Sequence, residues 1–309
     1  MLPIQKRTAE AIVNIFETSA VRGRYGEITL IPGDTGHLTF GRSQTTLASR
    51  NLHKLIARYC ATTGARFATR LAPYLPSLAS ADVSLDDDQK LHNILRASAD
   101  DALMRETQDQ FFDEAYWQPA ERAATRLGIA SPLGIAVVYD SFVHGSWKTI
   151  KDLTDTTSGP LDAVGEQAWI GEYVTARRNW LANHRREDLH ATTYRMDAFD
   201  RLIEQGFWGL ELPLVVRGIE ISTLSLNGTP PGCFDGPLPG TRAISVQSPL
   251  MRGMDVRLLQ LGLSERGVQI RADGIFGQTS MRLLRQYQTE QGLPATGSAE
   301  AALVAELAA

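Results

Sequence analysis

Between residues 223 and 247 the chain reads TLSLNGTPPGCFDGPLPGTRAISVQ, and neither a helical nor a strand period survives there. Proline lacks a backbone donor and fixes φ, so PPG and PLPG cannot lie inside a helix or a central strand. A stretch of this kind reads as a linker. It divides the chain into a larger part, residues 1–222, and a smaller one, residues 248–309. A total of 309 residues suits two domains, taking roughly 150 residues for each.

The larger part is mostly helical by period. Ala9, Ile12, Val13 and Phe16 share one face of a first helix, and Gly23 closes the loop after it. Further helices are expected over 88–105, 107–126, 132–143, 165–183 and 195–205, with Ser84 and Asp86–Asp88 as N-cap candidates. Residues 26–44 break the helical pattern. IPGDTGHLTFGRSQ contains tight turns and a short alternating run, which predicts a small β-hairpin. ELPLVVRGIEIS predicts an extended segment that closes this part.

Charge and composition exclude several partners. The net charge of −4 comes from interspersed acids and bases, so no basic face exists for nucleic acid or an anionic membrane. No run of 18 apolar residues is present, and no membrane insertion is expected. Cys60 lies on an apolar helix face and Cys233 in the Pro/Gly stretch; they read as two free thiols. No zinc-ligand spacing and no Cys/His pairing is visible, so no metal and no cofactor are expected. His184 and His190 in HRREDLH read as a solvated helix end.

Two carboxylates stand out. Glu17 directly follows the last apolar position of the first helix, at the end where the helix dipole disfavours a negative charge. Asp34 sits on the turn that leads into the alternating run. One protonated and one ionised carboxyl, in unlike settings, are what hydrolysis of a glycosidic bond requires.

The surroundings sharpen this. GDTGHLTFG resembles the hairpin of phage-type lysozymes, in which an aspartate opens a D-T-x-G turn and a threonine follows on the strand. Over a longer range, FETS, GDTGHLT, QDQFFDEAYWQPA, VVYDSFVHG, YVTARRNWL and TTYRMDAFDRLIEQG resemble, in order, glycoside hydrolase family 46, the chitosanases. That resemblance implies a mainly α, lysozyme-like α+β fold with two helical lobes and a small β-hairpin. It implies Glu17 as general acid, Asp34 as general base of an inverting hydrolysis, and Thr39 as a residue that positions the water. Asp140, Arg177 and Arg195 fall where the family carries a buried aspartate and two arginines. His37, Gln44 and Asn51 are candidate substrate contacts, while Tyr139, His144 and Trp147 read as core or cleft wall.

The chain also departs from the family. After the base aspartate the family usually has glycine and then arginine, where Thr35 and Gly36 stand here. A family carboxylate that helps to hold the cationic amine of chitosan aligns to Asn51.

The smaller part reads as a compact three-helix unit, with Val256, Leu259 and Leu263 on one face and Met281, Leu284, Tyr287 and Gln288 on another. Its spelling, G-x-D-V-x-x-L-Q, D-G-x-F-G-x-x-T, Y-Q and G-L-x-x-T-G, resembles the peptidoglycan-binding domain family from Gly253 to Gly297. With Asn51 this predicts a muramidase that cleaves β-1,4 bonds of peptidoglycan glycan strands; the alternative is a chitosanase. MLPIQKRTAEAIVNIF reads as a helix of the fold and not as a signal peptide. The expectation is a protein made in the cytoplasm that reaches the cell wall by a non-classical route, with any immunity or secretion partner left open.

Overall fold

The computed structural model describes residues 1–42 and 44–309. They form two compact units, Met1–Gly23 with Phe112–Gly228, and Arg24–Phe111 with Thr229–Ala309. The architecture is mainly α with short antiparallel strand pairs, the class expected.

In the first unit the organising element is the helix Pro132–Val143. PLGIAVVYDSFV is apolar nearly all round, and Leu133 through Ser141 are all buried, as such a composition requires. Ser131 caps it by accepting the Gly134 amide, and Pro132 fills the first turn. The helices Pro3–Thr18, Gln118–Leu127, Glu166–Ala182 and Tyr194–Glu204 pack around it. ELPLVVRGIEIS is not one extended segment. It folds as a hairpin of Leu214–Val216 on Ile219–Ile221, turned at Arg217 and Gly218, both at positive φ.

Two helix boundaries differ from the expected ones. The run 88–105 divides into Gln89–Ser98 and Ala102–Phe112. Asp101 causes the break: its Oδ1 accepts the Leu103 amide, and its Oδ2 accepts Tyr59 Oη and the Arg66 amide. The expected 107–126 helix is interrupted by a π-turn at Asp113–Trp117. The helix Trp147–Ser158 is not among those expected: WKTIKDLTDTTS buries just Ile150 and Thr154 and is rich in weak helix formers.

Among its described residues the second unit has a small cluster of Tyr25, Ala99 and Cys233 and two large apolar cores. One gathers Leu38, Phe40, Leu52, Leu55, Tyr59, Leu91, Ile94 and Leu95 with Met254, Leu258, Leu261 and Ala272 from the C-terminal part. The other holds Val256, Leu259, Leu263, Phe276, Leu284, Val304 and Leu307. The helix Met254–Glu265 is therefore buried on opposite sides, one against its own three-helix unit and one against residues 38–104. Its first amides donate to Gly236 and Pro237 carbonyls, so the Pro/Gly stretch satisfies donors that a helix start leaves open.

Polar groups tie the same face. Asn93 Nδ2 donates to the Ile270 carbonyl (2.7 Å) and to Ser264 Oγ (3.0 Å), while Asn93 Oδ1 accepts the Ala272 amide (2.9 Å). Arg257, 4% exposed, donates to Asp100 Oδ1 at 2.8 Å and to the carbonyls of Arg96 and Gly232. The signature residues of the C-terminal part are likewise engaged inside the fold. Gln260 Nε2 donates to Asp273 Oδ1, the Ile275 carbonyl and Ser280 Oγ. Gln288 bridges the Ser298 carbonyl and the Gly297 amide.

Breaking a buried ion pair from one side leaves the other charge uncompensated, at a cost of about 3–5 kcal/mol. Arg257→Ala is therefore expected to lower the unfolding free energy by about that amount, read from urea denaturation of the full chain. A loss below ~1 kcal/mol, the value of an exposed pair, would mean that this face is not held by the Arg257–Asp100 contact.

Candidate active site

The first helix runs Pro3–Thr18 and buries Ala9, Ile12, Ile15 and Phe16. It stops at Ser19, which takes a left-handed conformation (φ 55°) and donates its amide to the Ile15 carbonyl. Phe16 is drawn into the core, and its neighbour Glu17 is left half-exposed at 45%. Glu17 Oε1 accepts a hydrogen bond from Arg195 Nη1 at 2.8 Å.

Arg195 is itself almost fully buried. Its Nε and Nη2 donate to Asp140 Oδ1 at 3.0 and 2.6 Å, and its guanidinium lies over the Phe16 ring, 5.0 Å from the centroid. Arg177 Nη1 donates to Asp140 Oδ2 at 2.6 Å. Asp140 and Arg177 are both fully buried. Burial alone would push the Asp140 carboxyl up; the two guanidiniums, Arg195 more than Arg177, outweigh it and hold the group below its ordinary value. Burial works against the charge of Arg195 as well, but Asp140 and Glu17 raise its affinity for the proton.

The remaining donors of Arg177 go to Ser146 Oγ, the Gly145 carbonyl and His144 Nδ1. His144 is pushed down to about 4 by burial first and then by Arg195, so it stands neutral near pH 7. Tyr139 is in the core against Trp117 and Phe112, and Trp147 packs on Trp169 and Tyr173. Asp140, Arg177, Arg195 and Glu17 thus form one connected network, with His144 at its edge.

Asp34 belongs to the second unit. Its amide donates to the Ile31 carbonyl in a tight turn that has Gly33 at φ 80°. The carboxylate folds over Gly36: a Cβ there would lie 3.0 Å from Asp34 Oδ2. Leu38 and Phe40 are buried, and the central pair Thr39–Phe40 is flanked by Ile28–Thr29 and Thr45–Thr46. Gly41 (φ 76°) fixes the far end of the strand, because the Gln108 carboxamide occupies the space a Cβ would need. Thr39, 7% exposed, donates its hydroxyl to the His37 carbonyl at 3.1 Å.

Asp34 opens onto a hollow of about 500 Å³ lined by Leu30, Ile31, Thr35, His37, Asp86 and Asp87 among others. Asp34 and His37 are brought together here. Gln44 and Asn51 are elsewhere: Gln44 Nε2 reaches back to the Gly41 carbonyl, and Asn51 begins the helix Asn51–Cys60 with its Oδ1 facing Lys54 at 3.4 Å. Asp86 was legible only as an N-cap candidate. Asp88 takes that role instead, and Asp86 turns to the hairpin, a choice that local sequence does not encode. His184 and His190 bond within their own loop.

The family model of glycosyl hydrolase family 46 matches residues 11–214. The chain belongs to that family and is a glycoside hydrolase. A peptidoglycan binding domain family matches residues 252–307. A chitosanase of Bacillus subtilis (strain 168) is 29% identical over 233 residues, covering 70% of this chain and 83% of the relative. The native chitosanase of Bacillus subtilis MY002 superposes with a TM-score of 0.56 at 25% identity, over 70% of this chain and 95% of that one. The Gynuella sunshinyii GH46 chitosanase, solved with chitotetraose, gives 0.58 at 24% identity, over 72% and 99%, and shares the fold.

Two measurements check the network. Asp140→Asn removes the charge between two buried guanidiniums and is expected to cost about 3–5 kcal/mol in urea unfolding. His144 has an ordinary value of 6.5 and is lowered to about 4 in the fold. Its neutral form therefore contributes stability that is complete above pH 6.5 and lost as pH falls toward 4. The difference in thermal midpoint between wild type and His144→Gln should shrink over that interval. A constant difference would place the pH response in other groups.

Proposed function

We propose that the chain hydrolyses β-1,4 linkages of glucosamine-rich chitosan by inversion, with Glu17 as general acid and Asp34 as general base. Membership of family 46, with chitosanases as its relatives, is the observation that carries this reading. The geometry adds to it. Among the described residues lining the hollow at Asp34, three are carboxylates and none is lysine or arginine, a setting suited to a polymer of cationic amines.

In this reading protonated Glu17 donates to the leaving glycosidic oxygen while Asp34 takes a proton from the attacking water. An inverting pair needs about 6.5–9.5 Å between its carboxyls to admit that water. When Glu17 has given up its proton, Arg195 already accompanies the carboxylate that remains, and Asp140 and Arg177 keep Arg195 in place. The Thr39 hydroxyl, having donated to His37, keeps lone pairs that can accept from a water near Asp34. The first reading from sequence, a peptidoglycan muramidase, is retained as the second. It draws on Asn51, which carries no charge for an amine, and on the match of residues 252–307 to a peptidoglycan binding family.

General acid or base removal costs about 10²–10⁴-fold in rate. Glu17→Gln and Asp34→Asn should each lower kcat within that range and leave the thermal midpoint close to wild type. Activity within a few-fold of wild type in either variant removes that residue from its role. Mass spectrometry of parallel digests separates the two substrates: glucosamine oligomers from chitosan support the first reading. Muropeptides with reducible muramic acid ends, and intact chitosan, support the second.

A further inference from the structure

Asp86 lies in the short 3-10 turn Val83–Asp87, ahead of the helix Gln89–Ser98. Its two oxygens are both committed to the hairpin. Oδ1 accepts the Leu38 amide at 2.8 Å, and Oδ2 lies 2.8 Å from His37 Nδ1. The contact joins residues 48 and 49 positions apart in sequence, so it is tertiary.

His37 needs such a clamp. Its φ of 57° is in the left-handed region, which strains a residue with a Cβ and persists only where the surroundings enforce it. His37 is three residues after Asp34 and two before Thr39, whose hydroxyl donates to the His37 carbonyl. The segment is also tight, since Asp34 Oδ2 occupies the space beside Gly36 where a Cβ would crowd it. A displacement at His37 would be passed to both ends of the segment.

The clamp has a firm base. The Leu85 carbonyl accepts from His92 Nε2 at 3.0 Å, and Asp88 caps the helix through the Leu91 amide at 2.9 Å. The same helix is fixed by Asn93 and by the Arg96 carbonyl to residues 257–272. Asp86 is thus presented from a turn joined directly to a helix that is held at Asn93 and Arg96.

We propose that Asp86 is a positioning residue: it fixes the 34–39 turn and so sets the orientation of the Asp34 carboxylate. The proposal rests on Asp34 acting as the base. Small misplacements of a reacting group are costly, up to about 100-fold in rate for an ångström.

The test uses the full chain and a soluble substrate, a glucosamine hexamer or solubilised peptidoglycan strands, whichever the wild type cleaves. Asp86→Ala should lower kcat by about 10- to 100-fold, by more than it raises KM, and should speed hydrogen exchange of the Leu38 amide. Asp86→Asn, which keeps an acceptor for Leu38, should retain more activity than Asp86→Ala. In an Asp34→Asn background Asp86→Ala should cost no further activity, because its effect runs through Asp34.

A raised KM with intact kcat would make Asp86 a substrate contact and overturn the proposal. So would an equal loss in both backgrounds, or unchanged Leu38 exchange. If Asp34→Asn alone keeps wild-type kcat, the base assignment fails, and the exchange at Leu38 separately decides whether Asp86 holds the turn.

Discussion

A carboxylate without water is the constraint from which the first unit is built. Asp140 lies on a helix that is apolar nearly all round and has no solvent to share its charge. It is tolerable there because two guanidiniums saturate both its oxygens, and each guanidinium needs Asp140 for the same reason. Arg195 then has one arm left, and that arm meets Glu17. The acid at the helix end is therefore held by a chain of groups none of which could stay where it is alone. The helices Glu166–Ala182 and Tyr194–Glu204, which carry the two arginines, have to pack on Pro132–Val143 at a fixed register for this to hold.

The second unit repeats the device with different partners. Asp101 breaks a helix and gathers Tyr59 and Arg66; Asp100 receives Arg257; Asp86 gathers His37 and Leu38. In each case a short acid accepts from a donor distant in sequence, and Asp101 and Asp86 each take a backbone amide. At Asp86 the pinned segment bears Asp34 at one end and Thr39 at the other, the two residues proposed to handle the attacking water.

The C-terminal part has a second consequence. Its signature residues Gln260, Asp273 and Gln288 spend their hydrogen bonds inside the fold. Its first helix buries one side against residues of the Arg24–Phe111 segment. These three residues of the peptidoglycan binding match thus hold the fold, and the same helix braces the element that presents Asp86.

Local pattern was enough for much of this. Helical period gave Pro132–Val143, Glu166–Ala182 and Tyr194–Glu204 to within a residue or so, because each has one apolar face or is apolar throughout. Turn residues gave the hairpin at Asp34, and the resemblance of FETS, VVYDSFVHG, YVTARRNWL and TTYRMD to a known family singled out Glu17, Asp140, Arg177 and Arg195, found together in one ion network. At Asp101 an expected helix divided, and the Thr-rich helix Trp147–Ser158 was not anticipated at all. The Pro/Gly stretch 223–247 reads as having no helical period, yet its first residues, Thr223–Asn227, form a short helix capped by Ser222. Tertiary structure alone decided that Thr229–Ala309 shares a compact unit with Arg24–Phe111, because buried contacts such as Arg257 with Asp100 join positions far apart along the chain. It alone decided which of three consecutive acids caps a helix and which one holds the turn at His37. Sequence fixes what each side chain can donate or accept; only packing determines which partner is within reach.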